Sequence, residues 1–259
     1  MAASMPRGYV QFDVGVAHVV CMEHVADAIE AALARGTLYD YAARHPQARP
    51  LVGRGTSYAV PLPGDVERAV VRHNRHGGLL APLTGDVFRT PTRAPLELAV
   101  SERLHELNVP SPRMLGYVTY PAGPGFARAD VVTREVPNAH DLSSALMTDD
   151  AGSRQKALRA TTTLLHALVD AGARHHDLNV KNVLLQNRDD ELPLALLLDV
   201  DRVVFGDDKA SVREANLARL LRSARKWQSL HGARVTDSEL TELALASHER
   251  PSVATATLS

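Results

Sequence analysis

Two apolar runs frame the most constrained part of this chain. Val183-Leu184-Leu185 and the Leu-Ala-Leu-Leu-Leu run 194–198 read as the strands of a hairpin, joined by a polar turn at 187–191. His175-His176-Asp177-Leu178-Asn179-Val180-Lys181-Asn182 stands before the first strand, and the second runs into Asp199-Val200-Asp201. The hairpin therefore returns Asp199 beside the loop that carries Asp177 and Asn182. An Asp, an Asn five residues on, and a second Asp at a strand end make a phosphoryl-transfer pattern. A hydroxyl acceptor needs a carboxylate to orient it and take its proton, which suits Asp177 as catalytic base. Magnesium on nucleotide phosphates needs hard oxygen ligands, which suits Asn182 and Asp199. A solvated loop with a capping Asp would account for the first half of the pattern, but not for an apolar run ending in Asp199.

Composition narrows the class. At 259 residues the chain can bury a full core, as one large domain or two lobes. Its formal charge of -1 gives no global case for nucleic acid, so an anionic partner must be met by a local patch. The lone Cys21 excludes an internal disulfide framework and an all-Cys zinc site, which fits a reducing compartment. No apolar run reaches the roughly 18 residues that span a bilayer. Gln11, Asp13 and His18 interrupt any signal core after the N-terminus. These features predict a cytoplasmic protein, with peripheral membrane contact left open.

In chain order, residues 9–14 alternate as a strand, and 23–33 and 37–43 show helical spacing, with Gly36 between them. Gly53 and Gly55 sit between apolar segments, where a tight turn lets backbone amides approach phosphate. A plain hairpin turn is the commoner meaning. Residues 68–73 form a strand ending in Arg72-His73, and Arg72 takes the place of a phosphate-holding cation. Residues 95–107 form an amphipathic helix, with Leu96, Val100, Leu104 and Leu107 expected on its buried face. Its Glu97 is placed to pair with Arg72, and Glu102 and Glu106 are the solvated-face alternatives. Strands at 115–120 and 129–136 follow. The order strand, glycine turn, strand, helix, strand, strand is that of a nucleotide-binding lobe. The connector after Val132, including Glu135 and Val136, is then where adenine meets backbone groups. Long helices are expected at 153–171 and 211–230, and a shorter one at 236–246 capped by Asp237 or Ser238. The histidines read mostly as surface or loop residues, and 252–259 as a disordered tail.

With these motifs in place, the chain resembles the lipopolysaccharide core kinases, specifically the kinases of 3-deoxy-D-manno-octulosonic acid (Kdo), in the protein-kinase-like superfamily. Residues 72–78, Asn108-Val109-Pro110-Ser111-Pro112, Ala129-Asp130, residues 176–182 and Asp199-Val200-Asp201-Arg202 carry the resemblance, which covers roughly residues 51–227. It implies an α+β, two-lobed fold, with an antiparallel sheet lobe holding one helix and a mainly helical C-terminal lobe. The boundaries expected are 1–136, 137–250 and a tail at 251–259. It also implies ATP and Mg2+ as cofactors, Asp177 as base, Asn182 and Asp199 as metal ligands, and Glu97 as the helix partner. The implied acceptor is an anionic sugar or glycolipid, reached at the cytoplasmic face of the inner membrane, with no nucleic acid partner. Departures exist: Val200 replaces a frequent aromatic, Arg72 replaces the Lys of protein kinases, and no Ala-Pro-Glu segment follows Asp199. An aminoglycoside- or choline-kinase-like enzyme remains an alternative. It would need an acidic acceptor pocket, whereas Arg202, Arg213, Arg219, Arg222, Arg225 and Lys226 make this stretch basic. A pseudokinase acting as a binding or scaffolding module is the other alternative.

Overall fold

The computed structural model describes residues 5–52, 55–74, 86–189 and 191–249. Gly53, the Gly77-Gly78 pair and the tail at 251–259 lie outside these residues. The chain divides into two compact units, residues 1–103 with 112–135, and residues 104–111 with 136–259.

The first unit is built on an antiparallel sheet. Its strands are β1 (Tyr9–Val14), β2 (Ala17–Met22), β3 (Arg49–Val52), β4 (Thr56–Pro61), β5 (Arg68–His73), β6 (Phe88–Arg89), β7 (Met114–Pro121) and β8 (Phe126–Arg134). They lie in the order β1-β2-β7-β8-β5-β4-β3, and β6 pairs with β8. Strand β2 has no counterpart among the sequence expectations. Its run Val19-Val20-Cys21 is buried throughout, so it lacks the alternation that marks a half-exposed strand. The pleat still sorts it. Val19 and Cys21 face helices α1 (Ala26–Leu33) and α2 (Leu38–Arg44), packing with Ile29, Leu33 and Leu38. Val20 faces the other way, toward Leu98 of α3 (Ala94–Glu106). The sheet is thus covered on both faces. Thr37 caps α2 in a capping box with Asp40.

Helix α3 is rotated from its expected orientation. Val100 and Leu104 are buried as expected, together with Ala94, Glu97, Leu98 and Ser101, while Leu96 is 58% exposed and Leu107 is half-buried. The buried row follows the helical repeat that turns Glu97 inward toward β5. Counting Leu96 as an anchor shifted the stripe away from that row.

The second unit is mainly helical. Helices α4 (Leu142–Met147), α5 (Ala151–Asp170), α6 (Lys209–His231) and α7 (Asp237–His248) accompany strands β9 (Ala139–Asp141), β10 (Ala173–His175), β11 (Val183–Gln186), β12 (Leu194–Leu197) and β13 (Val203–Phe205). Strand β11 pairs with β12 and β9, and β10 pairs with β13. Leu164, Leu165 and Leu168 of α5 are buried, as expected from their spacing. Thr236, rather than Asp237 or Ser238, caps α7, because its hydroxyl and the Glu239 carboxylate satisfy each other's backbone N–H groups. Glu239 also holds the buried Arg154 of α5, at 3.1 Å from Oε1. Between α5 and β10, Gly172 has a φ of 64°, and a Cβ there would run into the Gly206 carbonyl. That close approach lets β10 begin immediately after the helix.

Candidate active site

The second unit folds the catalytic stretch around buried anchors. Leu178 and Val180 are buried and hold the loop down between β10 and β11. Asn216 of α6, fully buried, accepts the His175 N–H through Oδ1 and donates to the Ala173 carbonyl through Nδ2, both at 2.9 Å. It satisfies two backbone groups at once where neither could reach water. The side-chain amides of Asn179 and Asn182 both donate to the Asp177 carbonyl, at 2.9 and 2.8 Å. Asn179 Oδ1 in turn accepts the Lys181 N–H. The half-buried Asp177 is therefore held by its own backbone.

The hairpin brings Asp199 to this loop. Val183 faces Leu197 across β11 and β12, and the Leu198 N–H donates to the Asn182 carbonyl at 2.9 Å. Asp199 then adopts the left-handed conformation, with φ 53° and ψ 47°, and starts a 3-10 turn over Val200–Arg202. The Arg202 carbonyl accepts the His176 N–H at 2.9 Å. His175 ties the two segments from inside. Its Nδ1 accepts the Asp177 N–H, and its Nε2 lies 3.1 Å from the carbonyls of Leu198 and Asp199. Burial, outweighing these carbonyls, holds the imidazole pKa below the usual histidine value.

The donor set suits a hard divalent cation. Asn182 spends its Nδ2 on the Asp177 carbonyl, which leaves Oδ1 as the candidate ligand atom. Asp199 is exposed, and among the described residues its carboxylate has no donor. One amide oxygen and one carboxylate, without a cluster of three acidic or histidine ligands among the described residues, match a cation held largely by water and phosphate.

The first unit carries the phosphate-binding candidates. Arg72 of β5 forms an ion pair through Nη2 with Glu97 of α3, and its Nη1 donates to Asn74 Oδ1 at 3.1 Å. Glu97 is 3% exposed and Arg72 is half-buried, so the pair fixes the guanidinium while leaving part of it accessible. Gly55 immediately precedes β4. The Glu135 carboxylate is taken by Arg49 at 2.8 Å and Arg68 at 2.7 Å, and its N–H by the Arg68 carbonyl. Among the described residues its backbone carbonyl takes no hydrogen bond. Val136 opens the second stretch of the other unit.

Several residues were missed. His73 is not a surface histidine: its Nδ1 lies 2.5 Å from the fully buried Asp130 and its Nε2 2.7 Å from Asp86. Asp130 also accepts from the Tyr39 N–H and the Tyr120 hydroxyl. Glu102 is not merely solvated either, since it accepts from the Tyr9 hydroxyl and from Arg113. Asn216 left one trace in the sequence, a polar residue at helical spacing between Val212 and Leu220.

Comparison with known proteins follows the same outline. A family model described as "Lipopolysaccharide kinase (Kdo/WaaP) family" matches residues 51–243. The chain belongs to this family. A 3-deoxy-D-manno-octulosonic acid kinase of Actinobacillus succinogenes is 32% identical over 180 residues, covering 68% of this chain and 73% of that protein. A 3-deoxy-D-manno-octulosonic acid kinase of Haemophilus influenzae is 29% identical over 204 residues, covering 76% and 83%. A solved structure described as "WaaP in complex with acyl carrier protein" aligns with a TM-score of 0.55 at 17% identity, covering 90% of this chain and 89% of that one. At that identity the likeness speaks for the lipopolysaccharide-kinase fold alone. The family match begins at residue 51, after α1 and α2, so the layer that these helices add to the sheet precedes it.

Proposed function

We propose that this protein is an ATP-dependent kinase that phosphorylates a hydroxyl of Kdo in the lipid A–core precursor. The observation that carries this reading is the assembly of Asp177, Asn182 and Asp199 around His175, in a chain whose relatives are named Kdo kinases. Asp177 orients the acceptor hydroxyl and takes its proton as the oxygen attacks the γ-phosphorus. The bond from that phosphorus to the β–γ bridging oxygen breaks, and ADP leaves with the bridging oxygen. Asn182 Oδ1 and the Asp199 carboxylate would hold Mg2+, which supplies charge neutralisation on the phosphates when bound. Arg72, held by Glu97, offers a planar fork of donors to phosphate, a role that Arg can fill in place of Lys. Gly55, the Glu135 carbonyl and Val136 complete the nucleotide contacts in this reading.

No helix among the described residues is long and apolar enough to cross a membrane. A lipid-anchored acceptor would then be met at the inner-membrane surface from the cytoplasmic side. A cationic acceptor of the aminoglycoside kind finds less support, because Arg219, Arg222 and Lys226 of α6 have no acidic partner among the described residues.

The test is phosphate transfer from labelled ATP to Kdo-bearing lipid A by the wild type and Asp177→Asn. The variant keeps the shape and loses proton acceptance, so turnover should fall at least about a hundredfold while ATP affinity is kept. Turnover within about threefold of wild type would remove Asp177 from the role of base. Transfer to an aminoglycoside, and none to the Kdo acceptor, would overturn the substrate.

A further inference from the structure

Helix α6 runs along the catalytic stretch and touches it at three points. Asn216 holds His175, Ser223 Oγ accepts the Val180 N–H at 3.2 Å, and the Trp227 ring lies 5.2 Å from the Lys181 ammonium. From Asn216 to Trp227 the helix rises about 16 Å, so residues 175–181, with Asp177 among them, lie along this length. At about 100° per residue, these three contacts fall within about 40° of one line on the helix surface. Leu220 and Ala224 lie to one side of that line and are buried in the core. Arg219, Lys226 and Arg222 lie to the other side, at about 40°, 60° and 100° from Ser223. Arg225 points away, on the opposite face.

Other cations of the unit near the catalytic stretch are neutralised, and this row is not. Arg154 pairs with Glu239, Lys181 with Asp141, and Arg234 with Asp149. Arg219, Arg222 and Lys226 have no acidic partner among the described residues. They stand three and four residues apart, so they are neighbours on the helix surface and repel one another. An unneutralised row of cations costs stability, and it borders the face of the helix that holds His175, Val180 and Lys181. An anion on the acceptor would neutralise it.

We propose that Arg219, Arg222 and Lys226 form the acceptor-binding subsite of the kinase, recognising an anionic group carried by the acceptor next to the hydroxyl that Asp177 orients. The proposal rests on the kinase reading above and adds the residues that select an acidic acceptor. The recognised anion is a carboxylate of the sugar acid or a phosphate of its lipid anchor, and both chemistries suit guanidinium and ammonium donors.

The experiment compares steady-state kinetics of the full chain, the triple variant R219Q/R222Q/K226Q, and R225Q as the opposite-face control. Three acceptors are used: Kdo-bearing lipid A, the same acceptor with its carboxylates methyl-esterified, and the same acceptor with its lipid phosphates removed. The triple variant should raise the acceptor KM at least about tenfold, with kcat and the KM for ATP within about twofold. R225Q should leave all three parameters within about twofold of wild type. If the carboxylate is the anion, esterification raises the wild-type KM and the triple variant adds nothing further; if it is the phosphate, dephosphorylation does so. The double variant R222Q/K226Q, at exposed positions alone, should give part of the effect and guards against misfolding at the half-buried Arg219. An unchanged acceptor KM in both variants overturns the subsite. So does an equal effect of R225Q, which would mean bulk charge, or an equal rise in the KM for ATP. If the wild type transfers phosphate to no Kdo acceptor, the kinase reading falls and this proposal with it. If the wild type transfers and the triple variant matches it, the subsite alone falls.

Discussion

His175 Nδ1 accepts the backbone N–H of Asp177 at 3.1 Å. An N–H can only donate, so Nδ1 carries no proton and the neutral ring bears its hydrogen on Nε2. That hydrogen faces the Leu198 and Asp199 carbonyls. One fully buried ring therefore ties the segment that holds Asp177 to the segment that holds Asp199.

Replacing His175 by Phe keeps the volume and leaves the Asp177 N–H and the carbonyls without their partner. Unfolding free energy should fall by about 2–3 kcal/mol, and kcat by roughly tenfold or more. His175→Asn, which keeps an acceptor and a donor, should recover part of the turnover. Chemical denaturation with parallel kinetics measures both. A Phe variant as active as wild type would remove His175 from any part in positioning Asp177.

Arg72 and Glu97 should behave as one unit. Arg72→Ala leaves a buried carboxylate without its cation, which should cost about 2–3 kcal/mol and raise the KM for ATP. Glu97→Ala removes one tether of the guanidinium, leaves the Asn74 contact, and should raise the same KM less. In a double-mutant cycle the coupling should reach about 1–2 kcal/mol, and additive effects would mean that the two residues do not act together.

Asp199→Ala deletes the charged ligand proposed for Mg2+. In a thermal-shift series, ATP with magnesium should stabilise the wild type more than ATP with a chelator. The variant should lose that difference and keep the shift given by ATP alone. An undiminished magnesium effect would remove Asp199 as a ligand.

His73 gives a pH signature. Its hydrogen bond to Asp130 raises its pKa; burial opposes this, and the Asp130 charge and the contact with Asp86 add to the rise. Asp86 is held low by Arg128 and His73 in spite of its burial. Tyr39 and Tyr120 complete the surroundings. A folded-state pKa above the unfolded value of about 6.5 gives stability that is full below that value and is lost as pH rises through the folded pKa. The opposite linkage of Asp86 acts near pH 4 and does not enter this window. The stability gap between wild type and His73→Gln should therefore be widest near pH 6 and narrow toward pH 9, as followed by urea denaturation. A gap that widens with pH would refute the sign.

Much of the site was legible because its signals are short-range. Asp177 and Asn182 share one loop, and Asp199 follows one hairpin later, so their meeting needs only a two-stranded turn. The Arg72–Glu97 pair was readable from a strand end and the first turn of the next described helix. Glu102 against Glu97 was not a matter of spacing alone. The rotation of α3 decided which acid met Arg72 and which met Tyr9 and Arg113.

The sequence by itself determined the helices with clear apolar stripes and the hairpin that brings Asp199 to the loop of Asp177 and Asn182, because periodicity and local spacing act over a few residues. Only the tertiary structure decided the rest. Strand β2 became visible when Val20 paired with Tyr117, far along the chain, since a run buried on both faces has no alternation to read. His73 met Asp130 because β5 and β8 take a register that sets those two residues opposite each other. Which cations of α6 border the catalytic stretch depended on the side of the helix that Asn216, Ser223 and Trp227 press against it. Pairing and packing across long sequence separations choose among several locally equivalent residues, and a local pattern carries no record of that choice.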